Sequence, residues 1–242
     1  MNLLAFDTST DTLSIAVQHD ARVCEHQGPG GAQASTTLIP AIRALLAEAG
    51  LTFAQLDAVV FGRGPGSFTG LRTACSVAQG LAFGARGGRG VPVLPVDTLL
   101  AVAEAARAAQ GCTRVVATLD ARMDEVYTAS FEWLPDAAAP AGGSWRAPQD
   151  FGLCAPEAVA VAEGWTLAGN ARTAYGERLT PGALHVHALP TAAALLRLAP
   201  ALLAAGGAVP ADAALPRYIR DKVAQTTAER EVARQAALEA RP

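Results

Sequence analysis

Ala58-Val59-Val60-Phe61 runs straight into Gly62-Arg63-Gly64-Pro65-Gly66-Ser67-Phe68-Thr69-Gly70-Leu71-Arg72. Four consecutive apolar residues predict a strand buried on both faces, the habit of a sheet covered by helices. The glycine-rich stretch is then a strand-to-helix turn, with Ser67 or Thr69 as cap of a helix over residues 70–85. It is not a Walker A loop, since no Lys follows in the required place, and its spacing is not Gly-x-Gly-x-x-Gly. Glycines at this density let the backbone pass close to something. Arg72 stands in the first helical turn, where the helix dipole disfavours a cation; either an acidic group sits beside it, from this chain or a partner, or the turn is simple strand–helix packing with a solvated Arg.

Working outward, residues 3–6 form a short apolar strand ending at Asp7, and residues 13–17 alternate at period two. A third strand is expected over 22–25, then a helix over 35–49 capped by Ser35 or Thr36, with Pro40 in its first turn. Beyond the glycine stretch come a strand over 91–94 and a helix over 98–109. Three strands followed by helix–strand alternation predict an α/β fold with a mixed sheet. The second half restarts with strands over 114–120 and 126–131, an exposed loop over 135–148, a strand over 165–169 and a helix over 191–205. Two lobes are expected, 1–105 and 106–242, with a frayed tail beyond Val223.

Composition narrows the function. Hydrophobic residues make up 51% of the 242, enough for real cores, and the net charge of −3 argues against a protein that grips nucleic acid through its own basic surface. No run of apolar residues is long enough for a membrane span, and the N-terminus lacks the basic start of a signal peptide. Cys24, Cys75, Cys112 and Cys154 are scattered without zinc spacing, so a reduced, cytoplasmic protein is expected.

Three motifs carry candidate chemistry. The turn after Asp7, with Thr8 and Ser9, offers hydroxyls and N–H groups beside a carboxylate, which suits a nucleotide phosphate or its magnesium; the alternative is a turn that satisfies its own backbone. His185 and His187 sit two apart but lack supporting ligands. On the helix after the glycine stretch, Ala74, Ala78 and Ala82 follow at i+4, a row that lets a partner helix approach closely. Either that row faces its own sheet or it forms a subunit interface. As the interface reading goes, the alanine row is the first contact face, Phe83 with Arg72 is the second, and Leu46 of the preceding helix widens the apolar stripe.

The segments Leu4-Ala5-Phe6-Asp7-Thr8-Ser9-Thr10, Gly64-Pro65-Gly66-Ser67-Phe68-Thr69-Gly70-Leu71-Arg72, Asp120-Ala121-Arg122-Met123-Asp124-Glu125-Val126-Tyr127 and Pro216-Arg217-Tyr218-Ile219-Arg220 together resemble the TsaB (YeaZ) family. These are accessory subunits of bacterial tRNA threonylcarbamoyladenosine synthesis. The resemblance implies a two-lobed actin/Hsp70/sugar-kinase-like (ribonuclease H-like) architecture. It also implies a non-catalytic scaffold that dimerises by itself, pairs with a TsaD-type catalytic subunit and a TsaE-type ATPase, and meets tRNA through that complex only. No cofactor or metal of its own is implied, with ATP or ADP entering only in the complex; Asp7, Thr8 and Ser9 would be the remnant of a phosphate loop. The chain has no His-x-x-x-His, and Ala34-Ser35 replaces the His-Ser that often precedes the first long helix in the family. The alternative function is an ATP-dependent small-molecule kinase of the same superfamily, with Asp120 as its acid. A metallopeptidase lacks ligands.

Overall fold

Leu4 and Phe6 of the first strand bury on one side of a sheet, while Leu3 and Ala5 bury on the other. That alternation places a core above and below the sheet at once. The computed structural model describes residues 1–139, 141–147 and 151–220. Strands β1 (Asn2–Asp7), β2 (Thr12–His19) and β3 (Arg22–Pro29) form an antiparallel meander. Helix α1 (Ala34–Glu48), β4 (Ala58–Gly64), α2 (Phe68–Gly88) and β5 (Val93–Asp97) complete the first lobe, whose sheet runs β3-β2-β1-β4-β5 with β4 and β5 parallel to β1. Helix α3 (Thr98–Gln110) leads to β6 (Arg114–Arg122), β7 (Glu125–Pro135), β8 (Gly143–Arg146), β9 (Gly152–Cys154), β10 (Thr166–Gly169), the short α4 (Ala171–Tyr175), β11 (His185–Val186) and α5 (Ala192–Ala204). The second sheet runs β11-β10-β6-β7-β8, with β9 also on β7.

The layers follow from the cores. Helices α1 and α2 cover one face of the first sheet, and α5 with Ala101 of α3 covers the other. The opposite side of α3, through Leu99, Val102 and Ala106, packs on the second sheet. Two mixed sheets thus share a helical layer, the two-lobed α/β architecture that was expected. Among the described residues no helix is long and apolar enough to cross a membrane.

Three expectations are corrected. First, residues 191–217 do not stay with the second lobe: α5 packs on β1, β2 and β4, Val209 bridges Val93, and Arg217 N–H donates to the Arg63 carbonyl at 2.7 Å. The reason is that α5 carries one charge, Arg197, in thirteen residues, and a helix apolar nearly all round needs cover on more than one side. Second, the stretch over 135–148 is not wholly loop, since β8 pairs with β7 and sets Trp145 opposite Trp133, ring centroids 5.4 Å apart. Third, α1 begins earlier than Ser35. A 3₁₀ turn at Gly31–Gln33 feeds it directly, Ser35 and Thr36 donate their hydroxyls back to Ala32 and Gln33 carbonyls, and Pro40 falls in the second turn. Helix α2 leaves helical geometry at Ala85, with Arg86 and Gly87 left-handed, at the end that was expected. The tail beyond Val223 lies outside the described residues.

Candidate functional site

The β1–β2 turn and the β4–α2 loop meet residue against residue. A Cβ on Gly62 would lie 1.7 Å from Asp7 Oδ2, one on Gly70 1.9 Å from the Thr8 carbonyl oxygen, and one on Gly66 2.6 Å from Ser9. Glycines four apart in sequence therefore receive Asp7, Thr8 and Ser9, and this is what the glycine-rich stretch passes close to. Hydrogen bonds lock the contact: Thr8 Oγ1 donates to the Gly70 carbonyl at 2.7 Å, and Ser67 N–H to the Ser9 carbonyl at 2.7 Å. Ser67 is the cap of α2, its hydroxyl accepting from Gly70 N–H at 3.5 Å.

Asp7 is fully buried. Its Oδ1 accepts from Ser9 N–H at 2.9 Å and Ser9 Oγ at 2.7 Å, whereas Oδ2 has no partner. Burial pushes its pKa up to about 7, against the smaller opposing effect of the two Ser9 hydrogen bonds. A nucleotide, which the superfamily would imply, does not fit this turn. Asp7 and Thr8 have no exposed surface, and the Thr8 and Ser9 hydroxyls and the Ser9 N–H are committed to protein acceptors. The turn satisfies its own backbone and the glycine loop, and no phosphate chemistry is derived from it.

Ser9 nevertheless reaches the floor of a cleft of about 270 Å³ between the lobes, together with Ser67, Phe68, Asp120, Arg122 and Arg220. Asp120, the acid of the kinase alternative, is engaged: Oδ1 accepts from Tyr175 Oη at 2.8 Å and from Arg122 N–H at 2.8 Å. Burial and the Asp120 bond push the Tyr175 phenol up to about 12. Arg122 reaches over to Asp11 of the first lobe at 2.8 Å. Arg122, Met123 and Asp124 at the β6–β7 tip all have left-handed φ, a strained run without glycine.

The expected interface splits. Ala74, Ala78 and Ala82 are fully buried in the core under α2, and Leu46 is buried in the same core, so none of them is a contact face. A helical wheel records spacing and not the side on which the sheet lies. Phe83 is 73% exposed and Arg72 is exposed too. The group beside Arg72 is aromatic and not acidic: its guanidinium lies 3.8 Å over Phe68, and Nε donates to Tyr218 Oη at 3.1 Å. Small residues do line the outer face of α2, but they are Ser76, Gly80 and Gly84, with open space beside both glycines. His185 and His187 gain no companions, and among the described residues no cluster of three His, Cys, Asp or Glu could hold a metal. Sequence reading missed Asn170, which fixes Asp120 N–H through Oδ1, and Arg220. Asn170 directly follows β10, and of the two only Arg220 falls within a quoted motif, Pro216–Arg220.

A family model described as TsaD, tRNA N6-adenosine threonylcarbamoyltransferase, matches residues 22–228. The tRNA threonylcarbamoyladenosine biosynthesis protein TsaB of Escherichia coli K12 is 32% identical over 236 residues, 93% of this chain and 96% of that protein. The TsaB of Haemophilus influenzae is 43% identical over 52% of each chain. The solved structure of YeaZ from Pseudomonas aeruginosa superposes with a TM-score of 0.79 at 40% identity, covering 90% of this chain and 99% of that one. On these alignments, and on a fold that matches over nearly all its length, this chain belongs to the TsaB (YeaZ) family.

Proposed function

We infer that this chain is a non-catalytic scaffold and activator for threonylcarbamoyl transfer to adenosine 37 of ANN-decoding tRNAs in the cytoplasm. It works with a TsaD-type catalytic subunit and a TsaE-type ATPase, forms a homodimer when alone, and meets tRNA through the complex. Family membership supports the pathway. The observation that carries the non-catalytic reading is the filled β1–β2 turn, whose donors are spent on Asp7 and the glycine loop. It also disfavours the kinase alternative, because a phosphoryl group needs free donors at this position. Any ATP or ADP is then held with the partner's help.

Docking uses the outer faces of α1 and α2, where Ile39 of α1, 44% exposed, and Phe83 of α2 stand out to solvent, Phe83 on the same helix as the open Ser76, Gly80 and Gly84 row. An aromatic anchor next to small residues suits close helix packing. Phe83→Arg is expected to leave the melting temperature of the monomer unchanged and to abolish both homodimer and TsaD-type heterodimer, measured by analytical ultracentrifugation. Reconstituted modification then falls at least tenfold. Robust transfer to tRNA by the isolated chain, or assembly unaffected by Phe83→Arg, overturns the reading.

A further inference from the structure

The segment from Ala214 to Arg220 crosses from one lobe to the other. Its first end is held by the first lobe through backbone groups. The Ala214 carbonyl accepts from Cys75 Sγ at 3.2 Å and Gln79 Nε2 at 2.9 Å, and Arg217 N–H donates to the Arg63 carbonyl at 2.7 Å. Gly64 is left-handed at φ +120° and has no side chain where the Arg217 carbonyl comes in, a site where a Cβ would meet that oxygen at 2.5 Å. Tyr218 then stacks against Phe68, centroids 5.2 Å apart.

The far end is held by the second lobe, mainly through side chains. The Arg217 guanidinium lies between Asp97 of the first lobe, at 3.4 Å, and the Phe151 ring of the second, at 4.1 Å. Ile219 packs on the core beneath the second sheet. Arg220 grips the β6–β7 tip at three points: the Glu125 carboxylate, the Arg122 carbonyl at 3.3 Å and Met123 Sδ at 3.4 Å. That tip is the run of three left-handed residues, which persists only where surrounding contacts over-determine it. The other contact across the cleft mouth, Arg122 with Asp11, is an exposed ion pair, 69% and 83% accessible, and such pairs hold little. The Arg220 side chain is 13% exposed.

We propose that the segment Pro216–Arg220 is a clasp that sets the opening of the cleft between the lobes, with Arg220 as its releasable end. Fixed to the first lobe by backbone bonds, the clasp lets go of the β6–β7 tip by losing the Arg220 guanidinium, while Ile219 and Arg217 keep their places on the second lobe. The tip of the β6–β7 hairpin then loses its outside support and the cleft widens around the α3–α5 layer. Because Tyr218 also receives Arg72 of α2, the clasp keeps the outer face of α2 in register with the second lobe. That last consequence rests on the proposed docking face, whereas the clasp itself does not, and the experiment below uses the isolated chain so that the two fail separately.

Amide hydrogen exchange on the full chain tests it with Arg220→Ala, and with Glu125→Gln, which takes the charge out of the same contact from the other side. Both variants are expected to speed exchange at least tenfold in residues 8–12 and 119–127, with the amides of α1, β4 and residues 74–82 unchanged. Arg122→Ala, which removes the exposed pair with Asp11 and the 3.5 Å contact with Asp120 but keeps the Arg122 carbonyl, is expected to change the same segments less than threefold. Unchanged exchange at the cleft in both Arg220→Ala and Glu125→Gln overturns the clasp. So does an equal rise throughout the chain, which would make Arg220 a contributor to global stability only.

Discussion

Asp7 and Glu104 are both carboxylates buried from water, at 0% and 1% exposure, and the protein treats them in opposite ways. Glu104 on α3 is saturated. Oε2 accepts from Arg107 Nε and Trp145 Nε1, each at 3.0 Å, and Oε1 from Arg107 at 3.1 Å and Arg197 Nε at 2.9 Å. It therefore knots α3, α5 and β8 together in the layer between the lobes. Asp7 has one neighbour, Ser9, and an oxygen with none. Burial alone does not mark a working acid, and the donors around it decide. An acid met by two guanidinium groups and an indole is a structural joint, and an acid stranded under a glycine loop is left poised near neutrality.

The contrast is tested most severely by pH. Burial lifts the Asp7 pKa from its ordinary 3.8 to about 7, so its proton is bound more tightly in the native state. Its stabilising contribution is complete below pH 3.8 and is lost as pH rises through about 7, a loss of at most about 4 kcal/mol. Asp7→Asn removes the titration. The stability difference between wild type and Asp7→Asn, from urea midpoints at pH 4.5 to 8, is expected to move steadily against the wild type as pH rises. Parallel curves would mean that Asp7 finds a partner after all.

Glu104→Ala comes next. Removing one member of a buried ionic cluster costs about 3–5 kcal/mol, and the value belongs at the lower end because Arg107 and Arg197 are 26% and 40% exposed and can turn to water. Denaturant unfolding measures it, and a loss below about 1 kcal/mol would erase the distinction between the two acids. The smallest effect sharpens the comparison. Gly70→Ala pushes a methyl against the Thr8 carbonyl, which as backbone yields little, and overpacking of this kind costs about 1–3 kcal/mol. Lifting the turn also admits water to Asp7, so this variant should lose part of the wild-type pH dependence. A Gly70→Ala protein as stable and as pH-sensitive as wild type would show that the glycine loop does not seal the turn.

Much of this was legible in the chain, and the failures have physical causes. Strands β1 and β4 announce themselves by continuous apolar runs, β2 by alternation, and the cap Ser67 by its hydroxyl ahead of a helix. The alanines of α2 were legible as a row but not as a direction, since a period of 3.6 residues is the same whether the row faces a sheet or a second subunit. β8 was hidden because four residues between Ala, Pro and Gly carry no periodicity; only the need of the Trp145 indole for an acceptor hints at burial, and that acceptor is 41 residues away. Arg72 misled for a similar reason. A cation at a helix N-terminus calls for compensation, and the Phe68 ring just before it and the Tyr218 phenol from 146 residues downstream supply it.

By itself the sequence determined the order of elements, the α/β class, the four motifs and the membership they signal, because those depend on local pattern: apolar spacing, turn residues and short strings of fixed identity. The tertiary structure decided what each pattern is for. It placed Gly62, Gly66 and Gly70 against Asp7, Thr8 and Ser9, turned Ala74, Ala78 and Ala82 inward, returned α5 to the first sheet and carried Arg220 to the far lobe. Each of these is a pairing between residues tens to more than a hundred positions apart. Local periodicity states how much surface a segment must bury, and only the assembled layers state against what.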